Sequence, residues 1–198
     1  MLVEETTVPQ AALPIGLFKD HLRMGSGFAD DAVQDTVLEG FLRAAIAAVE
    51  ARTGKISIAR DFSQTVTQWR NGTAHRLPLA PVTDLSAFVI TNSSGDVTEV
   101  TQTRYKLSPN QHRPLLQPHG GALPTIPMGG TARITMTAGF GVAWADLPHD
   151  FAQAIMMLAA HFYENRHETA GGSQTMPFGV ASLLDAYIPL RIGGGAQV

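Results

Sequence analysis

The chain has 198 residues, of which 44% are hydrophobic and 16% are charged, so it can bury a core, which argues against whole-chain disorder. It contains no cysteine, which excludes disulfides, zinc–thiolate sites and thiol catalysis. The formal net charge of −3 argues against a module that binds nucleic acid through its phosphates.

The first stretch, residues 1–13, predicts a short extended arm. It carries Glu4 and Glu5 and no basic residue, whereas a signal peptide begins with positive charge. No run of about 18 apolar residues occurs in the chain, so we expect no membrane span.

A short helix is predicted over Pro14–Arg23. Leu17, Phe18 and Leu22 share one side of it, as residues that face a core do. The run Gly25-Ser26-Gly27 is typical of a helix break. We therefore expect this helix to end there.

A second, long helix is predicted from Asp30, which is suited to the N-cap, to about Arg52. Thr53-Gly54 ends it. Asp30-Asp31 could also be paired carboxylates for acid–base chemistry, but negative charge at a helix start favours the capping role. Apolar residues three and four apart form a broad stripe on this helix: Val33, Val37, Leu38, Phe41, Leu42, Ala45, Ile46 and Val49.

Residues 54–142 predict antiparallel β structure inserted between helices. Asn71-Gly72 and Ser94-Gly95-Asp96 are typical of hairpin turns. Ile134 and Met136 alternate with polar neighbours, which places both on one face of a strand. The predicted strands are Ile56–Ala59, Thr65–Trp69, Leu85–Thr91, Val97–Val100, Tyr105–Leu107 and Ala132–Thr137.

Helices are predicted again after Pro148, which suits the first helical position, and after Pro177. Together with residues 14–53, the segment 143–188 forms the predicted helical part, and the fold class is α+β. The apolar stripes of the long helix and of the helix after Pro148 are each too wide to face water, so we expect these two helices to pack together. Residues 189–198 are predicted to be a separate C-terminal tail. The inward-facing residues are Phe151, Ala154, Ile155, Leu158, Ala159 and Phe162 on the first helix and Val180, Leu183, Leu184 and Tyr187 on the second.

The segment from His161 to Glu168 is the one local cluster that resembles a chemical site. A small metal-dependent hydrolase using His161, Glu164 and His167 is the alternative from another class. The two histidines are six residues apart, however, and a helix does not turn both toward one ion. We therefore expect His161 to be a half-buried helix residue, and Glu164, Arg166 and Glu168 to form local or intersubunit ion pairs.

A small basic cluster lies near the N-terminus, at Lys19, His21 and Arg23. It predicts either a contact with an acidic partner or DNA, or a solvated helix face, and on spacing alone the solvated face is favoured.

The sequence resembles the head–tail connector adaptors of long-tailed phages and gene transfer agents over about residues 14–192. The resemblance begins at Lys19-Asp20-His21-Leu22-Arg23 and continues through Tyr105 and Pro148. It includes Ala138-Gly139-Phe140-Gly141 after the last predicted strand. It is strongest in the run Ala159-Ala160-His161-Phe162-Tyr163-Glu164-Asn165-Arg166-His167-Glu168, followed by Pro177-Phe178-Gly179-Val180, Leu183, Leu184, Tyr187 and Arg191.

The resemblance implies a structural protein of the virion neck, assembled in the bacterial cytoplasm. Members form a ring, usually of twelve subunits, that joins the portal to the stopper and tail and leaves a channel for DNA. It implies no catalytic residue, no metal and no cofactor. Another neck component, such as the stopper, is the nearer alternative, although the helix–β–helix order favours the adaptor.

The same resemblance turns several of these residues into candidate contacts with other subunits or neck proteins. The basic cluster and the segment after His161 are the first two groups. The third lies in the tail, which we expect to dock on a neighbouring neck component, with the portal as the first choice. The candidates are Lys19, His21, Arg23, Glu164, Arg166, Glu168, Leu190, Arg191 and Ile192.

Overall fold

The computed structural model describes residues 1–24, 32–166 and 176–188. These residues form α-helices and antiparallel β-strands, which confirms the predicted α+β class. None of the helices within them is long and apolar enough to cross a membrane.

The chain divides into two compact units. The β unit comprises residues 1–13 and 55–147, and the helical unit comprises residues 14–54 and 148–198. The predicted division differs in two places. Residues 1–13 belong to the β unit instead of forming a separate arm, and residues 143–147, predicted as part of the helical core, also belong to it.

The β unit is built on a sheet of five antiparallel strands. They are β1 (Leu2–Glu4), β2 (Arg60–Val66), β4 (Val82–Thr91), β5 (Val97–Glu99) and β8 (Thr131–Ala138). Their order is β1-β2-β8-β4-β5, so β8 lies at the centre and pairs with both β2 and β4. Ile134 and Met136 of β8 are fully buried, as the alternation predicts.

A second sheet has three strands, β3 (His75–Arg76), β6 (Tyr105–Ser108) and β7 (Leu115–Pro118), in the order β3-β7-β6. β3 and β7 were not predicted, because both are short and lie beside prolines. The β unit encloses one apolar core with contributions from both sheets and the loops: Ile56, Phe62, Leu77, Val82, Leu85, Phe88, Ile90, Val100, Tyr105, Leu116, Leu123, Ala132, Ile134, Met136 and Ala138.

Two further predictions for this unit are wrong. Ile56–Ala59 is not a strand but an irregular segment with isolated pairings, and β2 begins only at Arg60. Asn71-Gly72 does not join a hairpin, because β2 and β3 lie in different sheets. The turn at Ser94–Asp96 does connect the antiparallel pair β4 and β5, as predicted.

Close backbone packing explains the glycines after β8. A Cβ on Gly139 would lie 2.4 Å from the backbone of Ala59, and φ at Gly139 is 143°, in the range that favours glycine. A Cβ on Gly141 would overlap Asp146. These residues are therefore glycine because the chain passes too closely for any side chain.

The helical unit contains α1 (Ile15–His21), α2 (Ala32–Thr53), α3 (His149–Glu164) and α4 (Phe178–Leu184), with a 3₁₀ turn at Asp185–Tyr187. α2 and α3 pack against each other, which confirms the predicted pairing of the two stripes, and α4 packs on α3. The buried residues are Phe18, Leu38, Leu42, Ala45, Ile46, Val49, Phe151, Ala154, Ile155, Met156, Leu158, Ala159, Ala160, Val180, Leu184 and Tyr187.

Two residues of the predicted stripes face solvent instead. Leu17 of α1 is 56% exposed and Val37 of α2 is 50% exposed. Each lies beside a fully or almost fully buried neighbour, Phe18 and Leu38, so the helices turn a narrower face to the core than the spacing predicts.

α1 ends earlier than predicted, before the glycine-rich run. The amide of Met24 donates to the carbonyl of Lys19 and that of Arg23 to Asp20, the two bonds of a Schellman motif. Arg23 occupies the left-handed position with φ of 54°. Gly25-Ser26-Gly27 and the proposed cap at Asp30-Asp31 lie outside the described residues.

Candidate protein-interaction surface

The last described helix is fastened to the start of α3. The hydroxyl of Tyr187 donates a hydrogen bond of 2.5 Å to Oδ1 of Asp150, and its ring meets Phe151 edge-on with centroids 4.9 Å apart. Burial, followed by the bond to the Asp150 carboxylate, raises the pKa of Tyr187 well above its ordinary value. Tyr187 thus stays protonated and holds α4 in place.

A cleft of about 230 Å³ lies on the helical unit. Val37 and Leu38 of α2 and Tyr163 of α3 supply apolar walls, and Arg166 forms a polar rim. Gln34 also lines it, and its Oε1 is buried without a hydrogen-bond partner among the described residues. Met24 completes the lining. An apolar cleft with one unsatisfied acceptor is suited to binding a partner.

Arg166 is held at this cleft by Tyr163, three residues earlier in the chain. Its guanidinium lies 4.5 Å from the centroid of the Tyr163 ring, and its Nη1 donates to the Tyr163 carbonyl at 3.1 Å. The same tyrosine ring meets Phe41 of α2 edge-on. Glu164 and Arg166 are both exposed, and neither forms an ion pair with another described residue.

The basic cluster near the N-terminus is less free than its sequence indicates. Nζ of Lys19 lies 2.5 Å from Oδ1 of Asp35 at the start of α2, and the lysine side chain is only 13% exposed. His21 and Arg23 are exposed. His21 and Arg23 are therefore accessible to a partner, whereas Lys19 joins α1 to α2.

His161 is exposed, so the expectation that it is half-buried is wrong. Its Nδ1 and backbone carbonyl both contact the side-chain amide of Asn165, in a local bond at the end of α3. In the described part of the chain, no three or more histidine and carboxylate side chains are grouped so that they could hold a metal ion. His167, Glu168 and the tail candidates Leu190, Arg191 and Ile192 lie outside that part.

Phe178, at the first turn of α4, was part of the sequence resemblance but was not singled out as a contact. It is 88% exposed, whereas every other described aromatic side chain is buried or half-buried. The sequence did contain a sign of this exposure. On a helix, Phe178 falls outside the apolar stripe formed by Val180 and Leu184.

Lys55 is a buried cation of the β unit and is 1% exposed. Burial, and secondly the charge of Arg76, lower its pKa to about 8. Its Nζ donates a hydrogen bond of 2.5 Å to the Gln111 carbonyl, so it supports the loop between β6 and β7.

Comparisons with known proteins define the class of protein to which the chain belongs. No protein-family model and no curated protein matches the chain. Solved structures do match. A chain in the neck of an empty gene transfer agent particle, computed with C6 symmetry, is 46% identical over 98% of both chains, with a TM-score of 0.89.

Two further structures give the same result. A chain in the virion of a native gene transfer agent particle is 46% identical, with a TM-score of 0.87. One in the neck of a native particle, computed with C12 symmetry, is 43% identical, with a TM-score of 0.84. Both matches cover 98% of each chain.

Similarity at this level over nearly the whole chain, in both units, defines a structural component of a virion neck. The chain belongs to the head–tail neck, or connector, proteins of gene transfer agent particles.

Proposed function

We propose that this chain is the adaptor subunit of the neck. About twelve copies form a ring that joins the capsid portal to the stopper or tail and lines the DNA channel. The observation that supports this most is the 46% identity over 98% of both chains with a chain of a gene transfer agent neck. The C12 and C6 symmetries used for such necks fit a ring of twelve or of a multiple of six.

The composition suits a channel that DNA passes through. A subunit with a net charge of −3 makes few attractive contacts with phosphates, and such contacts would slow the polymer. The ring assembles in the bacterial cytoplasm and becomes part of the particle. DNA passes through its channel without sequence-specific binding. It carries out no catalysis and needs no metal or cofactor.

Three groups of residues are proposed to contact other subunits or neck proteins. In the first, His21 and Arg23 meet an acidic partner, while Lys19 is held by Asp35. The second group is Glu164, Arg166 and Glu168, at and beyond the end of α3. The third is Leu190, Arg191 and Ile192, which dock on the portal.

The stopper is the nearest alternative, and position in the particle distinguishes the two. An adaptor contacts the portal directly, whereas a stopper lies on the tail side of the adaptor. A helical unit made of two separate segments, 14–54 and 148–198, with most of the β unit between them, favours the adaptor.

Removal of the chain from a producing strain tests the proposal. We expect DNA-filled heads and separate tails in the lysate, and a plasmid copy of the chain to restore tailed particles. A copy without residues 189–198 should enter heads poorly although it folds. Tailed, DNA-delivering particles from the strain without the chain would contradict the proposal.

A further inference from the structure

Phe178 projects from the helical unit as a rigid aromatic side chain. It follows the N-cap Pro177 and begins α4. The next residue, Gly179, packs so closely on α3 that an added Cβ would lie 3.0 Å from Cε of Met157. Pro177 and Gly179 restrict the backbone on both sides of Phe178. Burial of its exposed ring by a partner therefore costs little conformational entropy.

The cleft formed by Met24, Gln34, Val37, Leu38, Tyr163 and Arg166 offers a receptor for such a ring. An apolar cavity of about 150 Å³ holds a benzene molecule, and this cleft measures about 230 Å³. The Tyr163 ring and the Arg166 guanidinium are already stacked, so an incoming aromatic ring would meet a π-face and a cation.

The ring and the cleft lie on different sides of α3. Six residues separate Met157, which lies beside Gly179, from Tyr163 in the cleft. At ~100° per residue these positions are roughly 120° apart around the helix and about 9 Å apart along it. Arg166 is a further three residues along the chain. Phe178 is therefore placed to fill the cleft of another molecule and not its own.

We infer that Phe178 of one subunit inserts into this cleft of the next subunit in the ring. The inference rests on the proposed adaptor function and names the contact that closes the ring. The occupant is a second copy of this chain, because one sequence carries both the exposed ring and the apolar cleft. A contact between two different surfaces repeats head to tail, and such a contact generates a closed ring when its rotation closes.

Cross-linking in assembled particles tests the contact directly. The chain has no cysteine, so Ser182→Cys together with Val37→Cys introduces the only two thiols of the subunit and keeps Phe178. Ser182 is exposed and lies one helical turn after Phe178 on α4, on the same side of the helix. Val37 is half exposed and lines the cleft, so both substitutions are compatible with folding. Purified particles are treated with a short bismaleimide and the denatured protein is separated by mass. We expect a ladder at multiples of 21.1 kDa.

The matched control pairs Ser182→Cys with Ala51→Cys. Ala51 is exposed on the same helix as Val37 and on nearly the same face, but it lies about 21 Å along α2. This pair should give no ladder. A cross-link within one subunit, or to a neck protein of another mass, would overturn the assignment of a second copy as the occupant.

If the double-cysteine chain does not enter particles, a second variant, Phe178→Ala, tests the Phe178 contact. Phe178→Ala should leave the melting temperature unchanged, because the side chain is 88% exposed, and should lower tailed particles roughly tenfold or more. Phe178→Leu should give an intermediate yield. A wild-type yield with Phe178→Ala would overturn the inference.

The outcomes separate this contact from the proposed function. If the wild-type chain is absent from particle necks, the adaptor proposal fails. If the chain forms the ring but the double variant gives no ladder, only the Phe178 contact fails.

Discussion

The hydroxyl of Tyr187 and the carboxylate of Asp150 lie 2.5 Å apart, although 37 residues separate them in the chain. This bond joins the turn after α4 to the first turn of α3. The position of α4, and with it that of Phe178, depends on this bond and on the packing of Val180 and Leu184 in the core.

Tyr187→Phe should lower the free energy of unfolding of the helical unit by about 1.5–3 kcal/mol, the usual contribution of a hydrogen bond to a charged group. The ring contact with Phe151 remains. Denaturant unfolding measures the change. Tyr163→Phe is the matched control, because its hydroxyl has no partner among the described residues, and it should change stability by less than about 0.5 kcal/mol. Equal effects of the two substitutions would contradict the role of the Asp150 bond.

The raised pKa of Tyr187 predicts a loss of stability at alkaline pH. The folded-state pKa lies above the ordinary value of 10.0, so the folded protein keeps this proton more tightly than the unfolded chain does. The contribution is therefore complete below about pH 10 and decreases as the pH rises above it. Unfolding free energies of wild type and Tyr187→Phe should approach one another as the pH rises above about 10. A constant difference across this range would show that ionisation of Tyr187 is not responsible.

Leu158→Asp should abolish soluble folding. Leu158 is 2% exposed on α3, where a carboxylate would have no partner, and an unpaired buried charge costs several kcal/mol. Leu17→Asp, at a position that is 56% exposed, should change the free energy of unfolding by about 0.5 kcal/mol or less. Soluble yield and melting temperature are the measurements. A wild-type melting temperature for Leu158→Asp would mean that α3 does not use this face in the core.

Arg166→Glu should leave the monomer folded and impair assembly. The side chain is exposed and its stacking on Tyr163 contributes about 1 kcal/mol or less to the fold. Repeated around a ring, the same small change in each interface becomes large. Arg104→Glu, an exposed change of equal charge in the β unit, should leave the number of tailed particles unchanged. Normal particle numbers with Arg166→Glu would remove this residue from the candidate contacts.

The helices could be predicted from sequence because their evidence is local. Apolar residues three and four apart place Leu42, Ile46, Ile155 and Leu158 in the core without knowledge of any partner. The pairing of α2 with α3 followed because each stripe needs a cover. The narrower face that exposes Val37 depends on how neighbouring helices pack, which spacing alone does not give.

The start of β2 could not be predicted, because its partners lie elsewhere in the chain. Arg60 and Ser63 are buried, which conflicts with a simple alternation of polar and apolar residues. Nε of Arg60 donates a hydrogen bond of 2.7 Å to the Glu4 carboxylate, and the hydroxyl of Ser63 donates one of 2.5 Å to the Glu5 carboxylate. The same contacts explain why residues 1–13, predicted to be an arm, contribute an edge strand. Glu4 and Glu5 look like residues of a solvated terminus in the sequence, but they bind side chains of β2.

The candidate contact residues could be predicted only in part. The run from His161 to Arg166 and the basic cluster could be found from sequence. The ion pair of Lys19 with Asp35 and the exposure of His161 could not, because both depend on the tertiary packing of α1 and α3. The cleft is a product of three segments, and no single one of them contains a pattern for it.

The most direct test of the central claim is a reconstruction of the neck of particles that carry this chain, with density assigned to each protein. The account predicts a closed ring of this chain around the DNA channel, in contact with the portal on one side and with the stopper or tail on the other. Its β unit and helical unit should both be present in every subunit. A neck in which this chain is absent, or lies outside the ring between portal and tail, would contradict the account.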